Sequence, residues 1–486
     1  MDPVPKPLER RTFIAGLAAM AGSAILAACG GGPSSTATAA PVTGNATAVP
    51  KPTTAAASTT ANATVAPAAT TASTTTGTAS APAKPVTIAT QGNLKFMRGS
   101  GNDPFWEKIA TGFKAKTGVT VESVINTGTV EDGTVPTALK SGSGPDVVNI
   151  NSGPARIGFL AQAGLIKQLD DAYAKFNWND RLTPFAVDRL KNQGSIFQGK
   201  LWEVPNSVDV IYWDYNKDVY QKVGIKPPDT FDEMVANFDK LKAAGVTAIN
   251  LGVRSGFAGG WLFGNLLQAA AGKDAVQQVL FGEGKWDQPE FIHAAQILGD
   301  WVKKGYVPQS STTLTDQQVI PIFENKQAGT YCVGTWLIAT YATDKADITN
   351  VDAFVMPTIT AAGSKLPTGG FGNSFVIAAN TKNLEASQAW LDYLISEDYV
   401  QALMDNPANG TIPAAKVPAS AKPKTALLQK AVDILAKDGT GYNPSVHVVA
   451  AVTTAYYDAL QGILGGLTTP EKAMADVQAA KVKAST

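Results

Sequence analysis

Beyond residue 84 the chain alternates short β-branched runs with stretches whose apolar residues recur every three or four positions. Such alternation predicts an α/β protein, since continuous β-branched runs suit strands and 3.6-residue recurrence suits amphipathic helices. Residues 86–89 read as a first strand, 119–124 as a second and 146–150 as a third. Between the first two, Phe105, Ile109 and Phe113 share one helix face, with Lys114 and Lys116 in the last turn and Gly118 at the C-terminal cap. Thr230 and Glu233 form a capping box after Pro227-Pro228, and Met234, Val235, Phe238 and Leu241 follow on one face. Pro289 opens a further helix whose Phe291, Ala295, Leu298 and Val302 stack before Gly305 stops it. The last hundred residues read as mainly helical, with no internal repeat.

The first 84 residues follow another pattern. Arg10-Arg11 precedes an apolar run from Phe13 to Ala28 that ends at Leu26-Ala27-Ala28-Cys29. A basic start, a short apolar core and small residues before a cut mark an export signal over 1–28. The run is shorter than the ~20 residues a membrane span needs. The cysteine directly after Leu-Ala-Ala resembles a lipoprotein lipobox. That resemblance implies cleavage before Cys29, acylation of its thiol and an extracytoplasmic protein tethered to the cell membrane, because two or more acyl chains anchor stably. Arg10-Arg11-Thr12-Phe13-Ile14 also resembles the twin-arginine signal for export of folded proteins, although paired arginines occur in ordinary signals too. From Gly30 to Lys84 the chain is almost entirely Ala, Thr, Ser, Pro and Gly, with Lys51 and Lys84 its only charges. So little apolar surface cannot offset ordering entropy, which predicts a disordered linker over 29–84, spanning about 40 Å on average.

Residues 85–486 are enough for two lobes rather than one core. The whole chain holds 40 basic and 40 acidic residues. That balance offers nothing to nucleic acid or an anionic surface, both of which call for a basic excess. With Cys29 lipidated, Cys332 stands alone between Tyr331 and Val333 and reads as a small core residue.

The usual tools of catalysis are missing from the sequence. Its two histidines, His293 and His447, are far apart, and no Cys/His cluster has metal-ligand spacing. A Gly-x-Ser-x-Gly elbow, a phosphate-binding loop and a dinucleotide fingerprint are all lacking, so no cofactor is expected and no enzyme. Glycoside hydrolysis by two carboxylates leaves no short motif and stays open on this ground alone.

Several stretches, in order, resemble the extracellular solute-binding proteins of carbohydrate ABC importers, the family that includes maltose-binding protein. Ser141-Gly142-Ser143-Gly144-Pro145-Asp146-Val147-Val148 resembles the family's turn into its third strand, and Ala163-Gly164-Leu165-Ile166 with Leu169-Asp170-Asp171 a characteristic helix end. Gly199 to Pro205, then Tyr212 and Tyr215-Asn216-Lys217-Asp218, resemble the family's "GkxYgvP…lyYNKd", with Trp202 in place of the tyrosine and Trp213-Asp214 as a variant. Gly224 to Glu233, Lys326 to Gly329, Gly334-Thr335-Trp336, Met356-Pro357 and Ser387 to Leu394 extend the match over most of 85–486.

The resemblance implies a two-lobed periplasmic-binding-protein-like fold, with a three-segment hinge and an interlobe ligand cleft. The crossings fall near 206–212, 356–373 and 406–413. Lobe 1 would comprise 85–206 and 373–410, and lobe 2 would comprise 207–372 and 411–486. It further implies a monomer that captures a sugar or oligosaccharide and delivers it to ABC permease subunits. Trp336 matches the family tryptophan that stacks on ligand, and Trp261 follows the Gly-rich stretch Gly256 to Gly260. Flat aromatics suit the C–H faces of a sugar, and Asp, Asn and Ser suit its hydroxyls. Asp209 and Asn206 sit at the first crossing. Asn151 and Ser152 lie just past the third strand, where open α/β sheets place ligands. Phe371 and Asn373 stand at the second crossing. Trp106, Trp178, Trp301 and Trp390 fit helix packing. A phosphorylated solute would need a cleft Arg, for which Arg254 and Arg98 are available. A polyamine would need carboxylates such as Asp209 with Asp214. A tethered glycosidase, and an adhesive or sensor-coupled protein of the same fold, are the remaining alternatives.

Overall fold

A computed structural model of the chain describes residues 92–101, 103–191 and 197–485. The export signal, Cys29 with its linker, and the strand read at 86–89 lie outside the described residues. Two sheets organise what is described. The first runs in the order β2-β1-β3-β10-β4, built from β1 (Asn93–Arg98), β2 (Thr120–Ile125), β3 (Val147–Asn151), β4 (Val204–Pro205) and β10 (Asn373–Ile377). β1, β2 and β3 are parallel, and β10 enters antiparallel between β3 and β4. β5 (Ser207–Asn216), β6 (Thr247–Asn250), β7 (Ala328–Gly334), β8 (Val351–Phe354), β9 (Thr368–Phe371) and β11 (Ile412–Pro413) form the second sheet.

The helices form where the apolar spacing predicts them. Asp103–Thr117 buries Phe105, Ile109 and Phe113, and the amide of Gly118, at φ 79°, donates to the Lys114 carbonyl. Left-handed backbone of this kind costs glycine nothing and other residues about 1 kcal/mol or more. Phe231–Ala243 starts on the complete capping box of Thr230 and Glu233. Pro289–Lys303 buries Phe291, Ala295, Leu298 and Trp301. One strand departs from the sequence reading. β1 has the sequence NLKFMR, with no β-branched residue, yet Leu94, Phe96 and Met97 are buried in it. Its parallel pairing with β2 and β3 outweighs its weak intrinsic preference.

Strand β5 is the hub of the second sheet. It pairs antiparallel with β7, β8, β9 and β11, and nearly every residue along it is buried. Trp213 has no exposed surface and packs on Phe238, Trp301 and Phe354. Asp214 is buried as well, with Tyr341 Oη donating to its Oδ2 at 3.0 Å, and burial drives its carboxyl well above the ordinary range. Asp214 is therefore held inside the lobe, away from any cleft, which removes the second carboxylate that a polyamine site would use. Cys332 is also inside, where it accepts from Asn265 Nδ2 at 3.4 Å and burial pushes its thiol up. A buried, uncharged thiol of this kind is inert.

The two sheets give the fold its two lobes. The chain leaves the first sheet after Pro205, enters the second at Ser207, returns at Gly372 between β9 and β10, and reaches the second again at β11. Among the described residues no helix is long and apolar enough to cross a membrane.

Candidate functional site

Backbone pairing gathers most of the residues singled out above at the ends of the two sheets. Asn373 lies opposite Asn151 in the β10–β3 register. The Ser152 amide donates to the Gly372 carbonyl at 2.9 Å, and the Asn206 amide donates to the Asn373 carbonyl at 2.9 Å. Asn373 N–H in turn donates to Ser207 Oγ at 2.9 Å. Asn151 is exposed, Asn373 and Asn206 are half-buried, and Ser152 is fully enclosed. The side chain of Asn206 is occupied, since its Oδ1 accepts from Tyr399 Oη at 2.9 Å. Ser152 Oγ donates to Glu203 Oε2 at 2.6 Å. Burial raises the Glu203 carboxyl to about 7 against the pull of that hydrogen bond.

Asp209 stands across the crossing from this group. A Cβ on Gly372 would lie 2.4 Å from Asp209 Oδ1, so only glycine lets the carboxylate settle against the second crossing. Burial raises Asp209 to about 7. Its neighbour Val210 accepts from the Thr335 amide at 3.1 Å, which brings the start of β5 beside Trp336. The Trp336 indole is half-buried and meets Trp261 at 4.8 Å between ring centroids, with the planes at 60°. Phe371 is buried among the core residues of β9. Trp178, Trp301 and Trp390 are buried and Trp106 is half-buried, as their packing positions require.

A second feature was not legible in the sequence. A cavity of about 360 Å³ opens between the lobes, lined by Thr129, Glu131 and Ala155 on one side and by Arg254, Phe257 and Tyr457 on the other. Its rings continue the tryptophan pair, with Trp261 6.3 Å from Phe257 and Phe257 5.9 Å from Tyr457. Gly256 and Gly260 make this possible, because a Cβ on either would meet the Tyr457 ring, at 2.6 and 3.1 Å. On the first lobe Arg156 is buried in the π-helical turn Pro154–Gly158, paired with Glu131 at 2.7 Å and lying over Phe257 at 5.9 Å. Sequence reasoning missed Phe257, Tyr457, Glu131 and Arg156; the glycines around Phe257 were the one available signal.

The arginines are unequal. Arg98 is buried and committed, donating to the Gly99 and Gly101 carbonyls at 3.0 Å, to Ser123 Oγ and to Asp103. Arg254 is exposed at the cavity. Among the described residues no group of three His, Cys, Asp or Glu is placed to hold a metal ion.

These features define a two-lobed α/β fold with tryptophans and a polar crossing region between its sheets. The chain belongs to the bacterial extracellular solute-binding protein family, whose model matches residues 99–401. It is 25% identical over 338 residues to an uncharacterised ABC transporter extracellular-binding protein of Pyrococcus horikoshii, covering 68% of this chain and 72% of that protein. It is 27% identical over 331 residues to the diacetylchitobiose binding protein DasA of Streptomyces coelicolor, covering 65% of this chain and 71% of DasA. A solved chitin oligosaccharide binding protein superposes with a TM-score of 0.68 at 23% identity, covering 81% of this chain and 99% of that one. The family is one of solute-binding proteins, not enzymes, so the glycosidase alternative falls away.

Proposed function

We propose that this chain is the sugar-capturing component of an ABC importer, held at the outer face of the cell membrane by lipid on Cys29. The observation that carries the reading is the half-buried Trp336 against Trp261, beside the start of β5 where Asp209 stands. An indole face left partly open beside hydroxyl-binding groups suits a ring with apolar C–H faces and a polar rim. Trp336 stacks on the sugar with the buried Trp261 backing its ring, and Asp209, Asn151 and Asn373 take its hydroxyls. Asn206 and Ser152 hold the crossing in shape through Tyr399 and Glu203. Phe371 supports the same crossing from the core. The similarity to a diacetylchitobiose binding protein supports a sugar or oligosaccharide as the solute.

Ligand held between the lobes contacts both only when they close, so binding shifts the population towards the closed form. The closed form is what ABC permease subunits would read. A micromolar affinity, enough for scavenging, needs only about 8 kcal/mol. With lobe boundaries near 206, 372 and 410, the hinge would run beside Trp336 and Asp209. The export signal and linker of the sequence reading complete the proposal, with Arg10-Arg11 directing export of the folded chain. Two measurements test the anchor and the solute. Cys29→Ala should release the protein from membranes and abolish labelling by radioactive palmitate. Calorimetric titration with mono- and oligosaccharides should give saturable binding that Trp336→Ala removes; binding of only a phosphorylated solute would overturn the sugar reading.

A further inference from the structure

Asn206 is the whole of the first crossing. β4 ends at Pro205 and β5 begins at Ser207, so a single residue joins the two sheets there. Its backbone belongs to both. The Asn206 amide donates to the Asn373 carbonyl at 2.9 Å, which continues the β4–β10 ladder of the first sheet. Its carbonyl accepts from the Ala414 amide at 3.0 Å, which continues the β5–β11 ladder of the second. The second crossing is as short, with Gly372 alone between β9 and β10. The Gly372 amide donates to the Ser207 carbonyl at 3.1 Å, and its carbonyl accepts from the Ser152 amide at 2.9 Å. All three crossings are thus bonded at Asn206 or next to it.

One side chain fastens this junction. Tyr399 is buried in the helix Glu397–Asp405, which leads into the third crossing, and its Oη donates to Asn206 Oδ1 at 2.9 Å. Its ring is set by the aromatics of the helix Asp103–Thr117, 6.0 Å from Phe105 and 6.3 Å from Trp106. Resting on the two-lobed capture reading above, we infer that Tyr399 is the positioning residue of the hinge. Its hydroxyl clamps Asn206 to the first lobe, and with Asn206 the backbone bonds that join the three crossings. Because Asn206 has one backbone bond in each sheet, any turn of its own torsions disturbs one ladder or the other. The clamp removes that freedom and confines lobe rotation to the torsions around Ser207 and Gly372. A hinge held in this way has fewer conformations to lose when the lobes close on a solute, so closure costs less. Without the hydroxyl, the half-buried Asn206 Oδ1 loses its acceptor role and the link is free to turn.

The test is hydrogen–deuterium exchange on the full-length protein in detergent, without solute, read by mass spectrometry over 204–209, 370–375 and 411–416. Tyr399→Phe keeps the ring and removes only the hydroxyl. Exchange across all three segments should quicken about three- to tenfold, as expected for one lost hydrogen bond. The helices Asp103–Thr117 and Glu397–Asp405 should exchange as in the wild type. Asn206→Ala should quicken the same segments by a similar factor. The double variant should go no further than either single one, because both remove the same bond. Thermal melting confirms that each variant is folded. Faster exchange of the helix Glu397–Asp405 as well would reduce Tyr399 to a packing residue. Unchanged crossings, or an additive double variant, would overturn the clamp. The measurement needs no solute, so these outcomes leave the sugar reading to the titrations above, where it fails separately if no sugar binds.

Discussion

The indole of Trp336 lies so close over Gly334 that a methyl group at that glycine would sit 1.9 Å from Cζ3. Gly334 ends β7, opposite Ile211 of β5, so the strand that builds the second lobe also sets the angle of the tryptophan. Gly334→Ala should push the ring out of place while the β-ladder stays intact. We expect sugar affinity to fall by about tenfold or more, equivalent to at least 1.4 kcal/mol, with a much smaller change in melting temperature. Titration of the variant beside Trp336→Ala checks this, and an unaltered affinity would show that the ring takes no part in binding.

Gly153 and Val446 meet where the two lobes touch. A Cβ on Gly153 would lie 1.9 Å from the Val446 carbonyl oxygen, and the glycine has φ 109°. The segment that carries Val446 is tied to β9 of the second sheet, since the Asn443 amide donates to the Gly369 carbonyl at 3.0 Å. Gly153→Ala is expected to lower ligand-free stability by about 1–3 kcal/mol through backbone strain. It should also shrink the rise in melting temperature on adding sugar, because the methyl opposes closure. A full ligand-induced rise in the variant would mean that the lobes do not meet here when ligand is bound.

Glu203 gives the protein a pH dependence of defined sign. Burial raises its carboxyl to about 7 from an ordinary 4.5, so between these values the native state holds a proton that the unfolded chain has lost. Its contribution is fully present below about pH 4.5 and is lost as pH rises through 7, a swing of about 3 kcal/mol. Glu203→Gln should therefore match the wild type at pH 4.5 and exceed it at pH 8. Melting curves of both proteins across that range give the difference directly, and parallel curves would refute the assignment.

Asp146 explains the aspartate of the Pro-Asp-Val-Val stretch. Its carboxylate accepts from the Lys95 amide at 2.8 Å, from Thr381 Oγ1 and from Asn383 Nδ2 at 3.3 Å, joining β1, β3 and the chain after β10. Asp146→Ala leaves the Lys95 amide and the Thr381 hydroxyl without this acceptor and should cost about 2–4 kcal/mol, read by urea unfolding. Ligand affinity should hold once the variant is folded, since the network lies away from the aromatic wall.

What the sequence made legible follows from the range of each signal. The Thr230/Glu233 capping box and the Phe105, Ile109, Phe113 stripe are local, and both stand in the structure as read. β1 was missed because Asn-Leu-Lys-Phe-Met-Arg has no β-branched residue, and long-range pairing with β2 and β3 decides it. The gathering of Asn151, Ser152, Asn206 and Asn373 depends on β10 entering between β3 and β4, a pairing that no local pattern reveals. The outer cavity lay beyond reach. Glu131, Phe257 and Tyr457 are far apart in the chain and meet only when both lobes are built. Arg156 rides on a π-helical turn for which the sequence offers no signal.

The most direct test of the central claim is a fluorescence titration that follows the chain's tryptophans while sugars and charged solutes are added, to the wild type and to Trp336→Ala. The account predicts a saturable change with one sugar series at micromolar concentrations, lost in the variant although its melting curve remains cooperative. Saturation by a phosphorylated solute or a polyamine, with no response to any sugar, would contradict it.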